Sequence, residues 1–151
     1  MGTKVRSGSR AVEVTSVQER AARAASGFKS LGIGKGDVVA VYLRNDFPFF
    51  EASVAAGLCG AYNTPVNWHY TPEEARYIFS NSGAKAIVIH ADLYRGIESA
   101  LPADVPVFVV ETPPEICAAY GLDPAQGSLP EGTTEWGAWL EGFDPVAAPP
   151  D

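Results

Sequence analysis

The stretch Asp37-Val38-Val39-Ala40-Val41-Tyr42-Leu43 decides how the rest of this sequence is read. Six apolar, β-favouring residues follow one aspartate, with none of the polar alternation of a strand that has one wet face. A strand buried on both faces belongs in a parallel sheet covered by helices. Upstream, Val17, Ala21, Ala24, Ala25, Phe28 and Leu31 fall at helical spacing between Gln18, Glu19, Arg20 and Arg23. This spacing predicts an amphipathic helix from Thr15 to Leu31, with Thr15 or Ser16 as its N-cap and Gly32, Gly34 and Gly36 ending it.

Downstream, an apolar helix is expected from about Pro48 to Cys59, closed by Gly60 and followed by a short strand over Ala61 to Val66. Thr71-Pro72-Glu73-Glu74 supplies an N-cap, a first-turn proline and two carboxylates suited to the positive end of a helix dipole. That helix turns Ala75, Ile78 and Phe79 inward and ends at Asn81-Ser82-Gly83. A strand over Ala86 to Ile89, a short helix over Asp92 to Ala100 and a strand over Val105 to Val110 complete the alternation. Right-handed crossovers connect such a series economically, so the expected class is α/β, a doubly wound, mainly parallel sheet with flanking helices.

After residue 110 the composition changes. Prolines at 113, 114, 124, 130, 145, 149 and 150, with glycines at 121, 127, 132, 137 and 142, leave room only for short helices. Glu115 to Tyr120 and Thr134 to Leu140 are the two expected, the second anchored by Trp136 and Trp139. The division expected is a flexible amino-terminal segment over 1–11, an α/β subdomain over 12–112, and a Pro/Gly-rich tail over 113–151 that leads into a remainder not in this sequence.

With 151 residues, 46% of them hydrophobic, the chain is long enough to bury a core. A formal net charge of -7 argues against a nucleic-acid partner, which needs a basic face to displace phosphate counterions. No stretch reaches the roughly 20 apolar residues of a transmembrane helix, and Lys4, Arg6 and Arg10 precede no apolar signal core, so the protein reads as cytoplasmic. Cys59 and Cys117 are too far apart to suggest a metal or redox motif and read as reduced structural thiols.

Gly32-x-Gly34-x-Gly36 is not a phosphate loop, because it follows a helix and precedes a strand, the reverse of the order that aims backbone amides at a phosphate. Gly34-Lys35 fails as a Walker loop, with Lys29 where the first glycine belongs and Gly36 in place of Ser or Thr.

Three stretches in this order and spacing carry a family resemblance. They are Leu31-Gly32-Ile33-Gly34-Lys35-Gly36-Asp37-Val38-Val39-Ala40-Val41 with Asn45; Ala55 to Asn67, reading Ala-Ala-Gly-Leu-Cys-Gly-Ala-Tyr-Asn-Thr-Pro-Val-Asn; and Thr71-Pro72-Glu73-Glu74 through Asn81-Ser82-Gly83-Ala84-Lys85-Ala86. Together, over roughly residues 12 to 92, they resemble the opening of adenylate-forming, AMP-binding enzymes: acyl-CoA synthetases, coumarate-CoA ligases, luciferases and peptide-synthetase adenylation domains. The resemblance lies in scaffold residues. It implies an acid-thiol ligase that joins a carboxylic acid to ATP as an acyl-adenylate and then to coenzyme A, with ATP, Mg and CoA as cofactors of the full-length enzyme and none bound by this piece. The family's Ser/Thr/Gly-rich phosphate loop, its Tyr-Gly-x-Thr-Glu stretch and its carboxy-terminal lysine do not occur here, and acyl specificity in the family is set mainly by other segments.

No catalytic, cofactor-binding or metal residue is therefore expected in this stretch. The candidate substrate-binding residues are Asn67, Trp68 and His69, with Tyr70 beside them, in a loop at the carboxyl end of a strand, where ligands of open α/β sheets gather. Packing and a subunit contact are the other readings of that loop. His90 with Asp92 offers a hydrogen-bonded pair but no nucleophile, and a strand-end histidine reads as polar surface. Glu111, Glu115, Glu131, Glu135 and Glu141 read as solvated surface. The apolar second helix, opened by Phe47, Phe49 and Phe50, reads equally as core or interface, which leaves a homodimer open. A free-standing α/β binding module without catalysis is the alternative to an incomplete ligase.

Overall fold

The computed structural model describes residues 4–7, 10–43, 47–65, 71–102 and 104–145. Five strands form one parallel sheet: β3 (Val38–Tyr42), β4 (Tyr62–Pro65), β5 (Ala86–His90), β6 (Val107–Val110) and β7 (Thr134–Glu135), in the order β4-β3-β5-β6-β7. Every residue of β5 is buried, as are Val39 to Tyr42 of β3, which is why these strands read as unbroken apolar runs.

The helices divide between the two faces. α1 (Val14–Ser30), α2 (Phe47–Leu58) and α6 (Trp136–Leu140) pack on the face that presents Val39, Val41, Ala86, Val88 and Phe108. On the opposite face, α3 (Pro72–Ser82) and α4 (Ala91–Ile97) cover Ala40, Tyr42, Ile87, Ile89 and Val109. The sheet is thus doubly wound, as expected. α5 (Pro114–Ala119) lies along the chain between β6 and β7.

Local chemistry sets the ends of these elements. Thr71 accepts from the Glu74 N–H at 3.2 Å while the Glu74 carboxylate accepts from the Thr71 N–H at 3.3 Å, a full capping box with Pro72 behind it. Gly83 ends the same helix at φ 66°, a left-handed position that a side chain would strain. Gly27 is required for a different reason, since a Cβ there would overlap the indole of Trp139 and only glycine lets α1 and α6 close on each other.

The structure departs from the expectations at three places. The first helix takes no cap at Thr15 or Ser16; it starts at Val14, directly out of β2 (Arg10–Glu13). That strand pairs antiparallel with β1 (Lys4–Ser7), from Lys4↔Glu13 to Ser7↔Arg10, so a hairpin stands where no element was expected. Finally, Thr134 and Glu135 do not open a helix. Backbone pairing with Phe108 and Val109 holds them as β7, and α6 follows. The tail therefore supplies the edge strand and a core helix of the sheet itself: Trp136 and Leu140 are fully buried against Phe28 and Phe108.

Candidate functional site

The carboxyl ends of the parallel strands form the candidate site. The chain leaves β3 for α2 on one face and leaves β5 for α4 on the other, so the strand ends diverge between β3 and β5, the place where open α/β sheets hold ligands. Asn67, Trp68, His69 and Tyr70 follow the end of β4 in sequence and lie outside the described residues.

His90 ends β5 and starts α4 with extended backbone (φ -69°, ψ 147°). Its side chain is fully buried, not the polar surface expected of a strand-end histidine. Beside it, Asp92 is tied to β6: the Thr112 hydroxyl donates to Asp92 Oδ1 at 2.6 Å and accepts from the Asp92 N–H at 3.2 Å. The Thr112 N–H in turn donates to the Gly127 carbonyl at 2.9 Å. These bonds fasten the exits of β5 and β6 to the tail.

On the other face a cavity of about 320 Å³ opens between the amino-terminal ends of α1 and α2, the end of β6 and the start of α6. Its walls include Val17, Phe47, Pro48, Val110, Pro113 and Trp136, and its floor holds a buried charge. Glu51 is 3% exposed, and its carboxylate accepts from Arg20 Nε at 2.6 Å, from Arg20 Nη2 at 3.4 Å and from Trp136 Nε1 at 2.9 Å. Arg20 is one-third exposed and also stands 3.7 Å from Glu141. A carboxylate can sit in so apolar a place only because a guanidinium and an indole N–H replace its water.

This cluster was hidden in the sequence because its members lie 31 and 85 positions apart. The available signal was that Glu51 is the sole charge in an otherwise apolar helix. Glu135 also departs from the reading as solvated surface: its Oε2 accepts from the Ala138 N–H at 2.6 Å and caps α6.

Chemically, the arrangement holds strand ends in place. Cys59 donates to the Ala25 carbonyl at 3.3 Å, and burial pushes its thiol pKa up against the smaller opposing pull of Lys29, so it is an inert packing group. Among the described residues, no group of three or more His, Cys, Asp or Glu side chains is placed to hold a metal ion.

The solved structure of coronafacic acid ligase from Pectobacterium brasiliense superposes with a TM-score of 0.75 at 16% identity, covering 99% of this chain and 28% of that one. A benzoate CoA ligase from Burkholderia xenovorans LB400 gives 0.72 at 19% identity, covering 91% of this chain and 24% of the other. These likenesses place the fold with the amino-terminal domain of adenylate-forming enzymes. Among curated proteins, 4-coumarate–CoA ligase 3 of Oryza sativa subsp. japonica is 35% identical over 105 residues, 69% of this chain and 19% of that protein. The 3-oxocholest-4-en-26-oate–CoA ligase of Rhodococcus rhodochrous is 30% identical over 130 residues, 83% of this chain and 23% of that protein. The chain thus spans about a fifth of the length of these relatives. Since the family model described as AMP-binding enzyme matches residues 5–148, nearly the whole chain, the protein belongs to the AMP-binding enzyme family.

Proposed function

We propose that this chain is the amino-terminal part of an acyl-CoA ligase of the cytoplasm, and that it builds the scaffold of the ligase without performing the chemistry. In the reaction so proposed, a carboxylate oxygen attacks the α-phosphate of ATP and pyrophosphate leaves. The CoA thiol, giving up its proton, then attacks the acyl carbon, and AMP leaves as the thioester forms. The observation that carries this reading is that curated relatives matching at 30% and 35% identity are themselves named CoA ligases.

Within that reading, the α/β subdomain expected over 12–112 extends through β7 and α6, which the 113–151 segment contributes before the chain leads on toward the phosphate loop. Magnesium, which the family resemblance implies, would enter with the phosphates of ATP. Asn67, Trp68 and His69 are the proposed contact for the acid or the pantetheine arm. Replacing Trp68 and His69 by alanine in the complete ligase is expected to raise KM for one of these substrates with the fold unchanged.

The test is calorimetric titration of the 151-residue chain with ATP and separately with CoA, beside translation of the frame past Asp151. Silence in both titrations, with a Ser/Thr/Gly-rich loop encoded downstream, supports the reading. Saturable binding by a compact monomer, with no such loop encoded, favours a free-standing binding module instead.

A further inference from the structure

A scaffold has no need of the cavity between α1, α2 and α6. At about 320 Å³ it reaches the lower end of the range of small-molecule pockets, roughly 300–1,000 Å³. Phe47, Pro48, Pro113 and Trp136 bring rings and flat proline faces to its wall. Such a wall suits a flat apolar body.

The charged groups around it are mostly of one sign. Glu51, Glu111 and Glu135 line the cavity, against Arg20 as the one cation among its lining residues. That guanidinium is already engaged, bonded to Glu51 and 3.7 Å from Glu141. Glu111 and Glu135 make no ion pair among the described residues, so the field at the mouth favours a positive charge.

The buried carboxylate of Glu51 also has bonding capacity to spare. An ionised carboxylate offers about four acceptor places. Arg20 and Trp136 fill two on Oε1 and one on Oε2, which leaves Oε2 room for one more N–H. Gly137, another lining residue, keeps space beside the guanidinium. A Cβ there would stand 3.1 Å from both carboxylate oxygens of Glu135 and 3.3 Å from Arg20 Nη2.

We infer that this cavity binds a small arylalkylammonium ion, whose primary ammonium donates to Glu51 Oε2 while its aromatic ring lies against Phe47, Pro48 and Pro113. A quaternary ammonium has no N–H to give. A metal ion finds no group of three His, Cys, Asp or Glu ligands among the described residues. The site stands on the cavity itself, whatever reaction a longer chain performs.

Calorimetric titration of the 151-residue chain with 2-phenylethylammonium, 2-phenylethanol and n-butylammonium tests the assignment, with tryptophan emission as a second readout. The aryl ammonium is expected to bind saturably, one to one. The alcohol is expected to bind about tenfold more weakly, because it forfeits the charge-assisted hydrogen bond, and n-butylammonium about tenfold more weakly, because it lacks the ring. Glu51→Gln is expected to abolish the preference for ammonium over alcohol. Should that variant fail to fold, Glu111→Gln/Glu135→Gln, which keeps an acceptor to cap α6, is expected to weaken the ammonium about threefold and leave the alcohol unchanged. Equal affinity for alcohol and ammonium overturns the proposal, as does a rim variant without effect or the lack of saturation by about 10 mM. n-Butylammonium binding as tightly as the aryl ammonium overturns it too, in favour of a lysine side chain from a protein partner.

Discussion

Replacing Arg20 by alanine strands a carboxylate inside the protein. Glu51 is 3% exposed and loses the two guanidinium contacts at 2.6 and 3.4 Å, keeping only the Trp136 indole N–H at 2.9 Å. Breaking a buried ion pair from one side costs about 3–5 kcal/mol. Arg20 itself is 35% exposed, so water enters the vacated space and recovers part of this, leaving an expected loss of about 2–3 kcal/mol. Glu51→Leu removes the charge and orphans the indole N–H, at about 1–3 kcal/mol. The double variant Arg20→Met/Glu51→Leu has no charge left to strand, so it falls short of the sum of the single losses by about 1.5 kcal/mol or more. Equilibrium urea unfolding reads all of these through Trp136, buried in the core, and Trp139, packed against it. Additivity within about 0.5 kcal/mol, or a loss below about 1 kcal/mol for Arg20→Ala, would refute the argument that the pair is buried and mutually dependent.

Gly27→Ala drives a methyl group into Trp139 and is expected to cost about 1–3 kcal/mol in the same unfolding assay, with the tryptophan emission shifted to the red. Thr71→Ala removes the hydroxyl half of the capping box and is expected to cost about 1 kcal/mol by thermal circular dichroism, while Thr71→Ser restores most of it. The Cys59 thiol has its pKa raised above the ordinary 9.0 by burial. Its contribution is therefore full below pH 9 and declines as pH rises beyond it, because the unfolded chain gives up that proton first. Thiol-reagent titration at pH 8 is expected to find Cys59 unreactive until urea unfolds the chain.

Most of the scaffold was legible because its signals are local. Val38 to Tyr42 and Ala86 to His90 are apolar on both faces, Thr71 to Glu74 spell a cap, and Gly83 marks a helix end. What escaped was set by distance in the sequence. Thr134 and Glu135 read as the start of a helix because nothing near them announces that Phe108 and Val109 will pair with them. In the same way the hairpin of β1 and β2 rests on pairing between strands of ordinary composition, so polar residues such as Arg6 and Ser7 gave no periodic signal. Glu51 is the one charge of an apolar helix, and nothing near it in the sequence announces Arg20 or Trp136 as its partners. The loop from Asn67 to Tyr70 was chosen for its aromatic residues and its place after a strand, features of sequence order alone.

The aromatic seam of Phe28, Phe108, Trp136 and Trp139 sets a timetable for synthesis. α1 is the first helix to leave the ribosome, yet the indoles that cover Phe28 belong to residues made more than a hundred positions later. At about 5–20 residues per second, Phe28 waits roughly 5–20 s for its indole cover, although β3 and α2, which pack on the rest of the α1 core face, are made much sooner. During that interval the nascent chain displays Phe28 and Phe108 without the indoles that close over them, an apolar patch of the kind that holding chaperones bind. Completion of this unit is therefore a late event, timed by the emergence of Trp136 and Trp139 from the exit tunnel rather than by the folding of any one helix or strand.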